Sequence, residues 1–265
     1  MIFSIIFVFG AVLLASVWLW FVKPTRPALR VLMYHKLHPT RQDALTVTPA
    51  QLENHLIWLQ QTGHRFVRLS HVLAAVNEQK NIFSGNQKTI LLTFDDGFVS
   101  NLTWAYPLLE KYQIPAAVFL PTAFLGKTSA WEQQKAEAIL NVDALKTMRP
   151  LVEYGLHAHT HQNYAQLTTA QIKTDLEACL QTLQNAQLPF VAAFAYPFGG
   201  RPKTSDKTNE LYQIFDQLGI KIAFRIGNRV NYWPFKDRFQ IQRLDIRGTD
   251  SMEVFKQKVR LGKLL

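Results

Sequence analysis

The chain has 265 residues, of which 48% are hydrophobic, and its 29 Lys and Arg against 19 Asp and Glu give a formal net charge of +10. The only cysteine, Cys179, excludes an intrachain disulfide and a cysteine-cluster metal site. The basic balance favours an anionic neighbour, but no Lys/Arg-rich run or nucleic-acid-binding motif is present, so nucleic acid is not expected as a partner.

An uninterrupted apolar segment lies near the start of the chain. Residues 2–22 (IFSIIFVFGAVLLASVWLWFV) carry no charged side chain. A helix of this length spans roughly 30 Å of hydrocarbon, and Trp18 and Trp20 lie near its end, where interfacial aromatic residues are common. We therefore predict a transmembrane anchor over residues 1–22 and a short linker over 23–27.

Two alternatives remain for this segment. A cleaved signal peptide would have a basic residue before the apolar stretch, which this chain lacks, and a buried core helix would show a polar face. Lys23, Arg26 and Arg30 follow the segment, and by the positive-inside rule they favour a cytoplasmic domain. Anionic lipid headgroups beside an anchor would explain the basic charge, as would solubility alone.

Beyond the linker, apolar runs of strand length alternate with segments of helical periodicity. The predicted strands are 28–34, 89–94, 116–120, 152–156, 190–196, 221–224 and 239–244, and the predicted helices are 48–63, 70–77, 102–112, 129–148, 169–185, 204–218 and 250–262. Thr48 as N-cap, Pro49 at the first helical position and Gln51 form a helix start signal, and Ser70 is the predicted cap of the second helix. This alternation indicates βα units around a parallel sheet, and the length of the single domain over 28–265 fits a (β/α) barrel.

Two adjacent carboxylates, Asp95 and Asp96, follow the apolar strand 89–94 and precede Gly97, which permits a sharp turn. Burying both charges is costly unless something compensates them. A divalent metal would bind one carboxylate and leave the other ionised as a base. An ordinary Asp-Gly turn that caps the following helix is the alternative.

Three histidines, His157, His159 and His161, lie within five residues after the strand 152–156. In a helix His157 and His161 would share a face, whereas in an extended segment all three would. Two imidazoles and one carboxylate of the Asp pair would form a three-ligand set with an open position for water, as in catalytic zinc sites. A polar loop with chance histidines is the alternative.

Two weaker candidates also lie at strand ends, where α/β folds build their sites. The segment Ala195–Gly200 (AYPFGG) forms a tight loop that can present a backbone N–H to an oxyanion. Tyr34 and His35 end the first strand, at an equivalent position of a barrel. The alternative for the segment 195–200 is an ordinary turn, and the alternative for His35 is a histidine with a purely structural role.

Taken in chain order, these candidate segments resemble the motifs of the polysaccharide deacetylase family (carbohydrate esterase family four). The segment 93–97 (TFDDG) resembles its first motif, 157–161 (HAHTH) its second, H-[ST]-x-x-H, and 195–199 its third, R-x-P-Y-G in many members. The resemblance covers essentially all of residues 28–250. It implies a distorted (β/α) barrel of about seven strands and metal-dependent hydrolysis of N-acetyl groups.

The resemblance also implies roles for the first two motifs. Asp96, His157 and His161 are the expected ligands of one divalent ion, usually zinc, and His159 ranks below them because the family spacing selects the outer pair. Asp95 is the expected general base for the water that attacks the acetamide carbonyl.

In the third motif, the N–H of Phe198 is the expected oxyanion donor, and Tyr196 and Pro197 are expected to contact substrate. The sequence departs from the family pattern at two positions. Ala158 replaces the usual Ser or Thr of the second motif, and Ala195 stands where many members carry an Arg that orients the base.

The usual Leu-x-His segment that supplies a general acid is also missing, because residues 243–245 read RLD. The segments 31–35 (VLMYH) and 48–63 are similar to those of the biofilm deacetylases that act on poly-β-1,6-N-acetylglucosamine. In that subgroup the acid histidine stands at the start of the barrel, as in a circular permutation. We therefore expect His35 to be the general acid.

The implied partner is an acetylated amino-sugar polymer, with membrane attachment through residues 2–22. The subgroup works outside the cytoplasmic membrane, so we expect an extracytoplasmic domain despite the flanking charges; the sequence does not indicate whether the protein has protein partners. The alternatives are deacetylation of another glycan, such as a chitin-like oligomer, peptidoglycan, a lipid-linked sugar or an O-acetylated glycan, and a binding protein without catalysis. Retention of both Asp95 and Asp96 argues against the last of these.

Overall fold

The computed structural model describes residues 26–83 and 88–262. The predicted anchor over 1–22 and residues 23–25 of the linker lie outside these ranges. Within them, no helix has both the length and the apolar character needed to cross a bilayer.

Strands and helices alternate along the described chain. The strands are β1 (Ala28–Tyr34), β2 (Lys36–Leu37), β3 (Thr46–Val47), β4 (Arg65–Phe66), β5 (Thr89–Asp95), β6 (Ala116–Leu120), β7 (Val152–Leu156), β8 (Ala193–Ala195), β9 (Ile222–Ile226), β10 (Asn231–Tyr232) and β11 (Ile241–Asp245). The α-helices are α1 (Pro49–Gln61), α2 (Leu69–Asn77), α3 (Tyr106–Tyr112), α4 (Val142–Met148), α5 (Thr169–Asn185), α6 (Ser205–Gln217) and α7 (Met252–Leu261).

Seven of the strands close into a parallel barrel, as predicted. The order is β1-β5-β6-β7-β8-β9-β11, and β11 pairs again with β1. The barrel is distorted at β8, which has three residues and meets β7 through one residue pair, Leu156↔Phe194. Outside the ring, β4 extends β5 in parallel, and β10 pairs antiparallel with the first residues of β1.

Side chains of each strand alternate between the barrel interior and the helical layer. The interior cluster includes Leu29, Val31, Leu91, Ala117, Phe119, Ala193, Ala195, Ile222, Phe224 and Ile241, all fully buried. Residues of α2 and Phe83 pack against this cluster near the N-terminal ends of β4 and β5. The apolar filling therefore leaves the other end of the barrel, at the carboxyl ends of the strands, for polar side chains.

One predicted helix, 129–148, is only partly confirmed: its last part is α4, but its first part is not an α-helix. The chain there forms a 3₁₀ helix over Ala130–Lys135 and isolated bridges before α4 begins at Val142. Tertiary ion pairs explain the difference, because the buried Lys36 ammonium binds Glu132 at 2.7 Å and lies 3.4 Å from Glu137. These contacts hold the segment against the loop after β1 and outweigh its helical pattern.

Two helix-start details also differ from the prediction. Thr48 caps α1, but the Gln51 amide donates to two distant carbonyls, at Gly248 and Asp250, instead of returning to the cap. Ser70 is not the cap of α2: its N–H and hydroxyl both donate to the Glu153 carboxylate of β7. In both cases the side chain that was predicted to accept a hydrogen bond within its own helix start is instead directed to a tertiary partner.

Candidate active site

The paired carboxylates lie at the carboxyl end of β5. Asp95 ends the strand in an inward-facing position, and Asp96 and Gly97 both adopt left-handed backbone angles, with φ of 71° and 67°. A Cβ atom at Gly97 would lie 2.8 Å from the Leu120 side chain, so glycine is needed at this turn. Both carboxylates are buried, with 2% and 3% exposure.

Asp96 meets the two outer histidines of the 157–161 segment. Its Oδ1 lies 3.0 Å from Nε2 of His161 and 3.4 Å from Nε2 of His157. One ligand atom from each of the three residues lies within 4.8 Å of the others. The structure therefore brings together the three residues predicted to hold a metal.

The hydrogen bonds of these residues fit a cation. The Nδ1–H of His157 donates to the Ala195 carbonyl at 2.8 Å, which leaves the Nε2 lone pair directed at Asp96. Within the described residues, Asp96 Oδ1, which faces both imidazole Nε2 atoms, is buried without a hydrogen-bond partner. A carboxylate oxygen and imidazole nitrogens that converge in a buried space match the donor set that zinc prefers.

The histidine segment is neither helical nor extended, so both expected conformations are wrong. Ala158 and His161 have left-handed φ angles of 68° and 54°, and the resulting turn brings the outer histidines together. His159 lies on the other side of the turn, where its Nδ1 is 2.9 Å from the Thr122 hydroxyl oxygen. The lower rank given to His159 agrees with its position away from Asp96.

A buried carboxylate on α5, Asp175, holds this turn in shape. It accepts backbone N–H bonds from His159 at 2.7 Å and Thr160 at 2.9 Å, and the Thr160 and Tyr164 hydroxyls also donate to it. Four donors on one carboxylate compensate its burial and offset the cost of the left-handed residues. Ala158, which has no hydroxyl to contribute, is accommodated in this way.

The side chain that orients Asp95 comes from β11. Arg243 donates from Nη1 to Oδ1 of Asp95 at 2.6 Å and from Nη2 to Oδ2 at 2.7 Å. Its guanidinium is 1% exposed and lies over the Phe119 ring. The sequence showed Ala195 in place of the usual motif arginine; the structure supplies a guanidinium to the same carboxylate from another strand.

Electrostatics keep both carboxylates ionised. Burial raises the pKa of Asp95, but the Arg243 charge, assisted by His157, outweighs it and leaves the pKa below its usual value. For Asp96, burial also raises the pKa, but contacts with His157 and His161 bring it well below its usual value. Asp95 is thus available as a proton acceptor at neutral pH.

His35 faces the same carboxylate from the end of β1. Its Nε2 lies 3.9 Å from Oδ2 of Asp95, and its side chain is 14% exposed. It lines a cavity of about 400 Å³ with both Asp residues and the two outer histidines. The predicted acid and the predicted base therefore border one cavity.

Phe198, Tyr196 and Pro197 of the third motif differ in how far each reaches into the cavity. Phe198, at a left-handed φ of 55°, lines the cavity with a 58% exposed side chain. Tyr196 reaches the cavity wall, but its hydroxyl is buried and donates to the Phe239 carbonyl. Pro197 is buried and is not among the lining residues. For the two predicted substrate contacts, Tyr196 and Pro197, the side chains serve mainly the loop's own packing.

Trp131 is a cavity residue that the sequence did not indicate. Its ring lies 4.0 Å from the His161 ring, centroid to centroid, and the Phe198 ring lies 4.8 Å from His161. The imidazole therefore contacts two aromatic rings, which form apolar walls beside the cluster. Trp131 falls in the predicted helix 129–148, which gives no sign of a role in the site, so only its tertiary contacts reveal this position.

Comparisons with known proteins agree with the fold and the motifs. Residues 84–223, more than half of the chain, match the family described as polysaccharide deacetylase. The chain belongs to this family.

Individual relatives are distant. The poly-β-1,6-N-acetyl-D-glucosamine N-deacetylase of Staphylococcus aureus (strain MRSA252) is 24% identical over 199 residues, which are 69% of this chain and 62% of that protein. IcaB from Ammonifex degensii has a similar structure, with a TM-score of 0.72, 21% identity and coverage of 89% of this chain and 97% of that one. The deacetylase PplD of Streptococcus pyogenes, in complex with acetate, gives a TM-score of 0.71 at 20% identity, covering 89% and 100%.

These structural likenesses show a shared fold. The chain matches about six tenths of the length of the Staphylococcus aureus relative and of a Bacillus subtilis relative, and about a fifth of the bifunctional xylanase/deacetylase of Pseudobutyrivibrio xylanivorans.

Proposed function

We propose that the protein is a metal-dependent hydrolase that removes N-acetyl groups from a poly-N-acetylglucosamine-like polysaccharide and releases acetate. The observation that carries this proposal is the Asp96, His157 and His161 donor set beside a separate, ionised carboxylate, Asp95, in one cavity. Membership of the polysaccharide deacetylase family and the name of the Staphylococcus aureus relative support it.

Asp96, His157 and His161 would hold the ion, for which zinc is our choice because it favours such mixed nitrogen and oxygen ligands. A bound divalent ion makes water more acidic and polarises the acetyl carbonyl. Asp95 would accept the proton of the attacking water. Its two hydrogen bonds to Arg243 fix the orientation of the carboxylate and keep it ionised.

The remaining proton transfer and charge stabilisation fall to His35 and Phe198, which line the same cavity. Phe198 N–H would donate to the oxyanion that develops on the acetyl oxygen. His35 would protonate the departing amine, which must leave with a proton. Trp131 and the Phe198 side chain provide an apolar surface against which the acetyl methyl and the sugar ring would lie.

The direction in which the barrel opens, relative to where the chain enters it, supports a polymer substrate over a lipid-linked sugar. The described chain enters β1 at Ala28, and His35 lies at the other end of that strand. Seven strand residues span roughly 20 Å, so the cavity opens on the end of the barrel opposite to the chain entry. With residues 2–22 as an anchor, the opening would face away from the bilayer. We propose a membrane-tethered domain on this basis, and we place it on the extracytoplasmic side because the deacetylase subgroup that the sequence resembles works outside the cytoplasmic membrane.

The test uses the full-length chain in a neutral detergent, loaded with zinc, and measures acetate release from β-1,6- and β-1,4-linked N-acetylglucosamine oligomers. Asp95→Asn, which keeps shape and removes the charge, is the control. We expect release from the β-1,6 oligomers that is lost in the control. Release from β-1,4 oligomers alone would shift the substrate to another glycan, and no release from either despite bound zinc would contradict the proposal.

A further inference from the structure

A second cavity, of about 740 Å³, lies on the outer wall of the barrel. Its lining includes Arg225 of β9, Gln242 of β11 and residues of β10. The chain between β9 and β11 forms only the two-residue strand β10, so no described helix covers this part of the wall. Because Tyr232 of β10 pairs with Ala28, the cavity reaches the end of the barrel opposite to the candidate active site.

The lining is basic. Arg26, Arg225 and Lys236 contribute cations, whereas Asp237 is the only acid among the lining residues. The Asp237 carboxylate accepts hydrogen bonds from three neutral donors. These are the Tyr212 hydroxyl at 2.6 Å, the Gln240 amide at 3.0 Å and the Phe239 N–H at 2.8 Å.

No described carboxylate forms a salt bridge with these three cations. The residues outside the described ranges contain no Asp or Glu, so no acidic side chain is left to pair with them. The lining therefore has a net positive charge, with three cations against the single Asp237 carboxylate, whose charge partly offsets that of Arg225.

Arg225 is the clearest unsatisfied group. Its side chain is half-buried, Nη1 donates to the Ile226 carbonyl at 3.0 Å, and Nε is buried without a partner among the described residues. Burial lowers the pKa of this guanidinium, and the neighbouring Arg201 charge lowers it further. A planar guanidinium with free donors is suited to bind a phosphate oxygen pair.

The rim of the cavity is aromatic. Tyr232 is 51% exposed, and the Arg26 guanidinium lies 5.5 Å from its ring centroid. Phe235 also lines the cavity, and its ring packs edge-on against Trp233. Aromatic and basic side chains together are typical of protein surfaces at the headgroup level of a bilayer.

The chain length places this rim close to the predicted anchor. Arg26 follows the last apolar residue, Val22, by four residues, and four extended residues reach at most about 14 Å. An anchor over residues 2–22 would thus hold the cavity near the headgroups of the leaflet that it leaves.

We propose that this cavity binds the phosphate headgroup of an anionic phospholipid and so fixes the N-terminal end of the barrel on the membrane. The proposal depends on the predicted anchor and not on the deacetylase activity. It gives the basic charge of the chain a specific partner, and it keeps the catalytic opening directed away from the bilayer.

The experiment uses the full-length chain in a neutral detergent. Short-chain phosphatidylglycerol, short-chain phosphatidylcholine and inorganic phosphate are titrated, and the unfolding temperature and the apparent Kd are recorded. The test variant is Arg225→Gln. The matched control is Arg149→Gln, an exposed arginine that precedes β7 at the same end of the barrel and lies outside the cavity.

We expect phosphatidylglycerol to raise the unfolding temperature and phosphatidylcholine to leave it unchanged. Arg225→Gln should weaken phosphatidylglycerol binding about tenfold or more, as expected for the loss of a charge-assisted hydrogen bond, and Arg149→Gln should not. Equal weakening in both variants would show diffuse charge attraction and overturn the proposal, as would an equal response to inorganic phosphate. Acetate release by Arg225→Gln should equal that of the unmodified chain, which separates this test from that of the proposed activity.

Discussion

Arg243 and Asp95, which are 148 residues apart in the chain, lie on the two strands that flank β1 and form two parallel hydrogen bonds of 2.6 and 2.7 Å inside the barrel. The pair is almost fully buried, so removing one partner leaves the other uncompensated. The arrangement fixes the rotamer of the proposed base and keeps its proton affinity low.

Replacing Arg243 with Gln should therefore impair the base in two ways. We expect kcat/KM to fall by about a hundredfold, because general-base catalysis contributes on this scale. The acidic limb of the pH profile should also move to higher pH, since burial raises the pKa of Asp95 once the Arg243 charge is gone. Arg149→Gln is the control, and an acidic limb that stays in place would contradict a role for Arg243 in setting the charge of Asp95.

Metal content should separate the three histidines of the 157–161 segment. We expect His157→Gln and His161→Gln to lose bound zinc after dialysis, because each removes one of three converging ligands. His159→Gln should keep it, since that ring faces Thr122 instead. Zinc stoichiometry by elemental analysis tests this, and equal loss in His159→Gln would refute the ligand set.

His35 should be needed for turnover and dispensable for metal binding. We expect His35→Ala to abolish acetate release and to retain zinc, because the ring borders the cavity near Asp95 but is not part of the ligand cluster. Steady-state kinetics and zinc analysis on the same preparation provide the two measurements. Full activity in the variant would remove the general-acid assignment.

Asp175 should act on metal affinity through the histidine turn. Asp175→Asn loses charge and acceptor capacity toward four donors, so we expect zinc affinity to fall about 10- to 100-fold, the usual effect of losing a group that orients metal ligands. A competition titration with a chelator measures it. Glu177→Gln, an exposed change on the same helix, is the control; unchanged affinity in Asp175→Asn would mean that the turn is held by other contacts.

Acid should destabilise the fold through His55. Burial lowers its pKa to about 3, and its ring stacks on Phe255 while Nδ1 faces the Tyr34 hydroxyl. In the unfolded chain the His55 side chain takes up a proton as the pH falls below about 6.5, whereas in the folded chain it stays neutral until about pH 3. The stability that comes from burying neutral His55 is therefore fully present above pH 6.5 and is lost as the pH falls toward 3.

The corresponding measurement compares the free energy of unfolding in urea at pH 7.5 and 5.5. His55→Gln should lose less stability on acidification than the unmodified chain, by about 1.4 kcal/mol for the single pH unit below 6.5. His71→Gln, at an exposed position, should behave like the unmodified chain. Identical pH dependence in all three proteins would show that His55 does not titrate in this way.

Local pattern was sufficient for most elements of the fold. The runs at 28–34, 116–120 and 152–156 are strands with the predicted bounds, because a short apolar run of β-branched and aliphatic residues has one stable solution in a parallel sheet covered on both faces. The pattern failed over 129–141, where ion pairs of Lys36 with Glu132 and Glu137 hold a 3₁₀ segment and isolated bridges in place of the predicted helix. Such contacts join parts of the chain about a hundred residues apart, so no local window reveals them.

The sequence by itself determined the number and chain order of the seven barrel strands and which residue types stand at their carboxyl ends, since both follow from periodicity and motif spacing. It thereby identified Asp95, Asp96, His157, His161 and His35 as members of one candidate site. Only the tertiary structure decided which partner each of them has. Barrel closure brings β11 beside β1, and this directs Arg243 at Asp95, while the left-handed turn held by Asp175 selects two of the three histidines. Those choices depend on the direction of side chains in a closed sheet, which the order of residues alone does not specify.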